Sequence, residues 1–135
     1  MVKDDAPEDM FFRLKTFAVV GVSEDLAKFG RMIYDRLKRA GMKVYPVNSK
    51  LDTVAGDKCY RALSAVPEKP EGVSIVVPPK ATVEVVKEAV KLGVKAVWMQ
   101  PGAEHPDAVK VLKEAGIPVV YGGSCVLVAL AKRGK

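Results

Sequence analysis

Three times along this chain, apolar residues spaced for one face of a helix give way, across a glycine, to a short apolar run. The junctions are Ala40-Gly41-Met42-Lys43-Val44, Leu92-Gly93-Val94-Lys95-Ala96 and Ala115-Gly116-Ile117-Pro118-Val119. Glycine adopts the left-handed conformation that closes a helix, and a strand starting at once afterwards marks a repeated βα unit. Ile33, Leu37 and Ala40 form one helical stripe, Val83, Val86 and Val90 a second, and Ala108, Val111, Leu112 and Ala115 a third. The apolar runs predict strands at 16–22, 43–47, 72–77, 96–99 and 119–121, with helices at 30–40, 82–92 and 106–115 between them. The first run is almost unbroken, as a strand covered on both faces should be. Pro78-Pro79 ends the third, because proline cannot donate a ladder hydrogen bond. Proline at the start of 106–115, Asp107 in its first turn and His105 as its cap all favour a helix there. A short helix at 10–14 and a last helix at 125–131 complete the pattern.

Strands alternating with helices give an α/β architecture. The expectation is a Rossmann-like, doubly wound parallel sheet of about five strands with helices on both faces. Right-handed crossovers and one reversal of winding suggest the strand order 3-2-1-4-5. The 135 residues suit one domain over 1–135, with 1–15 as an N-terminal extension or short helix. The stretch 51–70 is irregular, with turns around a short extended piece at Cys59-Tyr60 and one helical turn at 62–66. It reads as a connection crossing the sheet, not a linker between domains.

In such folds a ligand lies beyond the carboxyl ends of the strands. The first strand runs into a loop containing Gly21, Val22 and Ser23, and the next helix opens with Lys28, Phe29, Gly30 and Arg31. Glycine for backbone approach, a hydroxyl, two cations and a helix N-terminus suit a phosphate. The spacing is not G-x-G-x-x-G, and the same glycines could serve a tight turn alone. An NAD site needs a carboxylate after the second strand, for the ribose 2′-hydroxyl. Here that position holds Asn48, Ser49 and Lys50, which repel nothing on a ribose and attract a phosphate. Val77 and Pro78 make a rigid apolar wall of the kind an adenine packs against, or simply a strand stop. Met99, Gln100 and Gly102 follow the fourth strand, and Gly122-Gly123-Ser124-Cys125 the fifth. A thiol at that last helix start could be activated, or buried and inert.

Composition narrows the choice. Twenty-two basic residues against 16 acidic give a net charge of +6, spread along helix faces without interleaved aromatics, so a phosphorylated small molecule is expected rather than nucleic acid. No apolar run has membrane-spanning length, and the acidic start Asp4-Asp5 is unlike a secretory signal, so a cytoplasmic protein without membrane attachment is expected. Two distant cysteines and one histidine argue against a structural metal or disulfide. No Ser/His/Asp set or paired catalytic carboxylates stand out, so no catalytic residues are assigned.

Five segments, taken in order, resemble the single-domain CoA-binding proteins. They are Val19-Val20-Gly21-Val22-Ser23 with Phe29-Gly30-Arg31, Pro46-Val47-Asn48-Ser49-Lys50, Val76-Val77-Pro78-Pro79-Lys80, Trp98-Met99-Gln100-Pro101-Gly102-Ala103-Glu104 and Tyr121-Gly122-Gly123-Ser124-Cys125. These proteins are similar to the N-terminal CoA-binding domain of the succinyl-CoA synthetase α subunit and of ADP-forming acyl-CoA synthetases. The resemblance implies non-catalytic binding of coenzyme A or an acyl-CoA. Gly21, Ser23, Lys28, Phe29, Gly30 and Arg31 would then surround the CoA phosphates. Asn48 and Lys50 would meet the ribose 3′-phosphate, Val77 and Pro78 the adenosine, and Met99, Gln100 and Gly102 the pantetheine arm. The alternatives are a subunit of an ADP-forming acyl-CoA synthetase with its partner chain, an NADP-binding reductase, or a thiol role in which Cys125 forms a mixed disulfide with CoA. A homo-oligomer also remains open.

Overall fold

A computed structural model describes residues 6–123 and 125–133. Five parallel strands form the sheet: β1 (Thr16–Val20), β2 (Lys43–Val47), β5 (Gly72–Ile75), β6 (Ala96–Met99) and β7 (Val119–Val120). A two-stranded hairpin, β3 (Thr53–Val54) with β4 (Asp57–Lys58), lies apart from it. The helices are α1 (Pro7–Phe12), α2 (Phe29–Arg39), α3 (Pro79–Leu92), α4 (Pro106–Glu114) and α5 (Val126–Lys132).

Alternation along the strands builds two cores. Phe17 and Val19 of β1, with Ala96 and Trp98 of β6, face α1, α2 and α5, where Phe11, Ile33, Leu37 and Leu130 meet them. Ala18 and Val20, with Val97 and Met99, face the other way, toward Val86 and Ala89 of α3 and Ala108 and Leu112 of α4. The sheet is therefore doubly wound, as expected from strands apolar on both sides.

The strand order corrects the expected 3-2-1-4-5. β5, the third long strand, pairs with β1 and not with β2, so the sheet reads β2-β1-β5-β6-β7. The outer place beside β2 is taken by one residue, Tyr60, which forms a parallel bridge with Val47. Its N–H donates to Pro46 O at 3.0 Å and its carbonyl accepts from Asn48 N at 2.9 Å. The connection over 51–70 thus supplies a strand one bridge long, and then crosses to the far side of β1. Winding reverses between β1 and β5, so the switch point lies there.

Element ends shift where backbone chemistry demands it. β1 stops at Val20 because Gly21 has φ +104°, and α3 begins at Pro79 because proline's fixed φ suits a first helical position. His105 caps α4 as expected, its Nδ1 accepting from Asp107 N at 3.1 Å. The helical turn at 62–66 is a 3-10 turn at Leu63–Ala65. Among the described residues no helix is long and apolar enough to cross a membrane.

Candidate ligand-binding cleft

Two glycines bring the first loop flat against the strand ends. A Cβ on Gly21 would lie 2.6 Å from Val76 O, and one on Gly30 would lie 2.2 Å from Gly21 O. Both contacts are with backbone that cannot swing aside, so only glycine lets α2 start directly on the β1 loop. Gly21 N donates to Val47 O at 2.9 Å, tying this loop to the end of β2. Asn48 completes the joint: its Nδ2 donates to Val22 O at 2.7 Å, and its Oδ1 accepts from Lys50 N at 2.7 Å. Between them the loop is self-supporting, with Ser23 Oγ accepting from Asp25 N at 3.0 Å and Asp25 Oδ1 from Ala27 N at 2.9 Å.

A cleft of about 540 Å³ opens at this switch point. Val20, Gly21 and Val47 form its floor. Asn48, Ser49, Lys50 and Arg61 line the β2 side. The opposite side is apolar, made by Val76, Val77 and Pro78 and continued by Ala81 and Val85 of α3, with Glu84 and Glu88 beside them. A smaller groove of about 450 Å³ runs along the free edge of β7. Its carboxylates, Glu8 and Asp9, both pair with Arg133.

The structure gathers some of the sequence-marked residues and disperses others. Gly21, Asn48, Lys50, Val77 and Pro78 line the cleft. Val22 is buried behind it, while Ser23, Lys28, Phe29 and Gly30 form the adjoining loop and helix start. Lys28 is the N-cap of α2 and makes no side-chain capping bond, and Phe29 leans on the core below. Arg31 lies outside the cleft. Its Nε contacts both carboxylate oxygens of Asp35 at 3.1 Å, and its Nη1 reaches Glu24 O at 3.0 Å. The Arg31–Asp35 pair, four residues apart on one helix, was visible as a spacing.

The residues after β6 are structural. Met99 is fully buried in the α3–α4 core. Gln100 is fully buried too, its Nε2 donating to Ser74 Oγ at 3.0 Å and its Oε1 accepting from Val126 N at 3.1 Å, which anchors the start of α5. Gly102 turns the chain so that its N–H donates to Glu104 Oε1 at 2.9 Å, while Gly123 N donates to Oε2 at 3.1 Å. Burial works to raise the Glu104 carboxyl, but amides from Gly102, Glu104 itself, Gly123 and Gly122 outweigh it and hold the group below the ordinary range. Cys125 is half-buried at the N-cap of α5, and Ser124 lies outside the described residues. Burial raises the Cys59 thiol above its usual range.

Sequence reasoning missed Arg61 and the α3 contribution. The α3 residues carried a signal, since Ala81 and Val85, like Glu84 and Glu88, recur at four-residue spacing just beyond Pro78. Arg61 carried none until Tyr60 was known to pair with β2.

Two cations, Lys50 and Arg61, and the Ser49 hydroxyl thus stand on one side of the cleft, with an apolar wall on the other and the Asn48 amide spent on the joint between the loops. The sheet order and the place of the cleft define a Rossmann-like α/β protein with its cleft at the switch point. The chain belongs to the CoA-binding domain family, whose sequence model matches residues 15–131. It is 31% identical over 129 residues to the α subunit of the ADP-forming acetate–CoA ligase II of Pyrococcus furiosus, covering 87% of this chain and 28% of that subunit. The chain thus spans little more than a quarter of that relative's length. It is 27% identical to the uncharacterized protein YneT of Bacillus subtilis, with 92% of this chain and 91% of that one covered. A hypothetical protein from Pyrococcus horikoshii superimposes with a TM-score of 0.88 at 31% identity, over 98% of both chains.

Proposed function

We propose that this protein binds coenzyme A, or an acyl-CoA, in the strand-end cleft and does not itself catalyse a reaction. The observation that carries the reading is the chemistry of the β2 strand end. Where an NAD site needs a carboxylate, the cleft presents Ser49 and Lys50, with the Asn48 amide spent on the joint between the loops. Lys50 would hold the ribose 3′-phosphate, and the amides at the start of α2 would face the pyrophosphate. Val77 and Pro78 would pack on the adenine. When bound, CoA would supply a thiol or thioester at the far end of its pantetheine arm. The protein's part would be to hold the nucleotide end. Family membership supports the ligand, and the absence of a membrane-spanning helix among the described residues is compatible with the cytoplasm as its location.

Calorimetry with CoA, dephospho-CoA, NADP and NAD tests the proposal. CoA is expected to bind most tightly. Lys50→Ala is expected to weaken CoA by about tenfold while leaving dephospho-CoA nearly unchanged, as for loss of one charge-assisted contact. Equal affinity of the wild type for CoA and dephospho-CoA would remove the role of Lys50, and preference for NADP would replace CoA altogether.

The match to the ligase α subunit favours a second reading, in which this chain is the CoA-binding component of an ADP-forming acyl-CoA synthetase. Purification of the native protein with a nucleotide-binding partner chain would support it.

A further inference from the structure

We propose that Arg61 is the second phosphate-binding cation of the cleft, with Asp52 holding its guanidinium until a ligand phosphate takes it over. The assignment rests on the reading of the cleft as a CoA site. Backbone pairing fixes where Arg61 starts. Tyr60, immediately before it, is bonded on both sides to the end of β2, and Leu63, two residues on, is buried in the α3–α4 core. Arg61 is therefore held beside Asn48-Ser49-Lys50 on the cleft lining, while its side chain stays open to water.

That side chain is 61% exposed, and its Nε and Nη2 meet a single oxygen, Asp52 Oδ1, at 3.2 and 2.7 Å. Asp52 is 82% exposed. An ion pair so open to water is weakly held, so exchanging its carboxylate for a ligand phosphate costs little. Arg31 is the opposite case. It is 13% exposed and already serves Glu24 and Asp35, so recruiting it would leave those groups unpaired. The planar guanidinium fork matches a phosphomonoester geometrically, and it adds to the positive field of Lys50 on the same side. Glu84 and Glu88 across the cleft repel phosphate toward that side. The terminal phosphate is thereby directed between Lys50 and Arg61.

The test is calorimetry with CoA and dephospho-CoA on the wild type, Arg61→Gln, Asp52→Asn and the double variant. Both side chains are exposed, so folding is not at stake. Arg61→Gln is expected to weaken CoA by about tenfold and dephospho-CoA by less than about twofold. Asp52→Asn is expected to tighten CoA, and the gain to vanish in the double variant. Equal losses for the two nucleotides, or a gain from Asp52→Asn that persists without Arg61, overturn the proposal. A wild type that binds no CoA brings down the reading of the cleft and this assignment with it. CoA bound equally by the wild type and Arg61→Gln removes Arg61 alone.

Discussion

The strand-end surface treats its polar groups in two opposite ways. At the β6–β7 end, Gln100 and Glu104 are consumed by the protein itself, bridging β5, α5 and the glycine turns after the strands. At the β2–β1–β5 end, the polar side chains of Lys50 and Arg61 are exposed along an open cleft, and only Asn48 is spent on the joint between loops. Both ends carry the glycines, amides and charges that suggest binding. What separates them is whether the partners the protein supplies are buried, as around Gln100, or open to water, as in the Arg61–Asp52 pair. A satisfied buried amide stabilises the fold, whereas an exposed cation facing an apolar wall can exchange a water-exposed partner for a ligand.

The sharpest way to break this comparison is at the glycine that brings α2 onto the β1 loop. Gly30→Ala is expected to destabilise the protein by about 3 kcal/mol and to abolish CoA binding, because its Cβ would meet Gly21 O. Urea unfolding checks the first effect, and a variant as stable as the wild type would show that the loop has room to move. At the other end, Gln100→Ala is expected to cost about 2 kcal/mol by leaving Val126 N and Ser74 Oγ without their partner. Its CoA affinity should stay near that of the wild type. A large loss of affinity with little loss of stability would place Gln100 back at the ligand.

The smallest expected effect is at Glu104. Glu104→Gln is expected to cost about 1 kcal/mol at neutral pH, through loss of one carboxylate acceptor from the amide nest. The folded carboxyl titrates below its unfolded value, so its stabilisation is present above the unfolded pKa and is lost as pH falls through the folded one. The difference between wild type and variant should therefore shrink in acid. A gap that stays constant down to low pH would mean that the nest does not depend on charge.

Most of the fold was readable because the parallel strands are buried on both faces and α2, α3 and α4 each give way at a glycine to the next strand. The strand order was not, because Tyr60 occupies a strand's place with a single bridge, too short to leave a periodic signal. The hairpin at Thr53–Val54 and Asp57–Lys58 was read only as turns, since Ala55 and Gly56, both at positive φ, carry the reversal between strands of two residues. The cleft lining was legible where a polar run follows a strand, as at Asn48, Ser49 and Lys50. The sequence did not reveal that the Met99 and Gln100 side chains are fully buried and away from the cleft lining, because burial cannot be read from residue type. Glu104 and Gly123 meet only once β6 and β7 are side by side.

The one tryptophan of the chain, Trp98, lies wholly enclosed on the face away from α3, edge-on to Phe11 and Phe12 of the first helix. Its indole is thus an internal reporter on that helix. Any peeling of the N-terminal segment from the sheet would redden the emission well before the strands come apart.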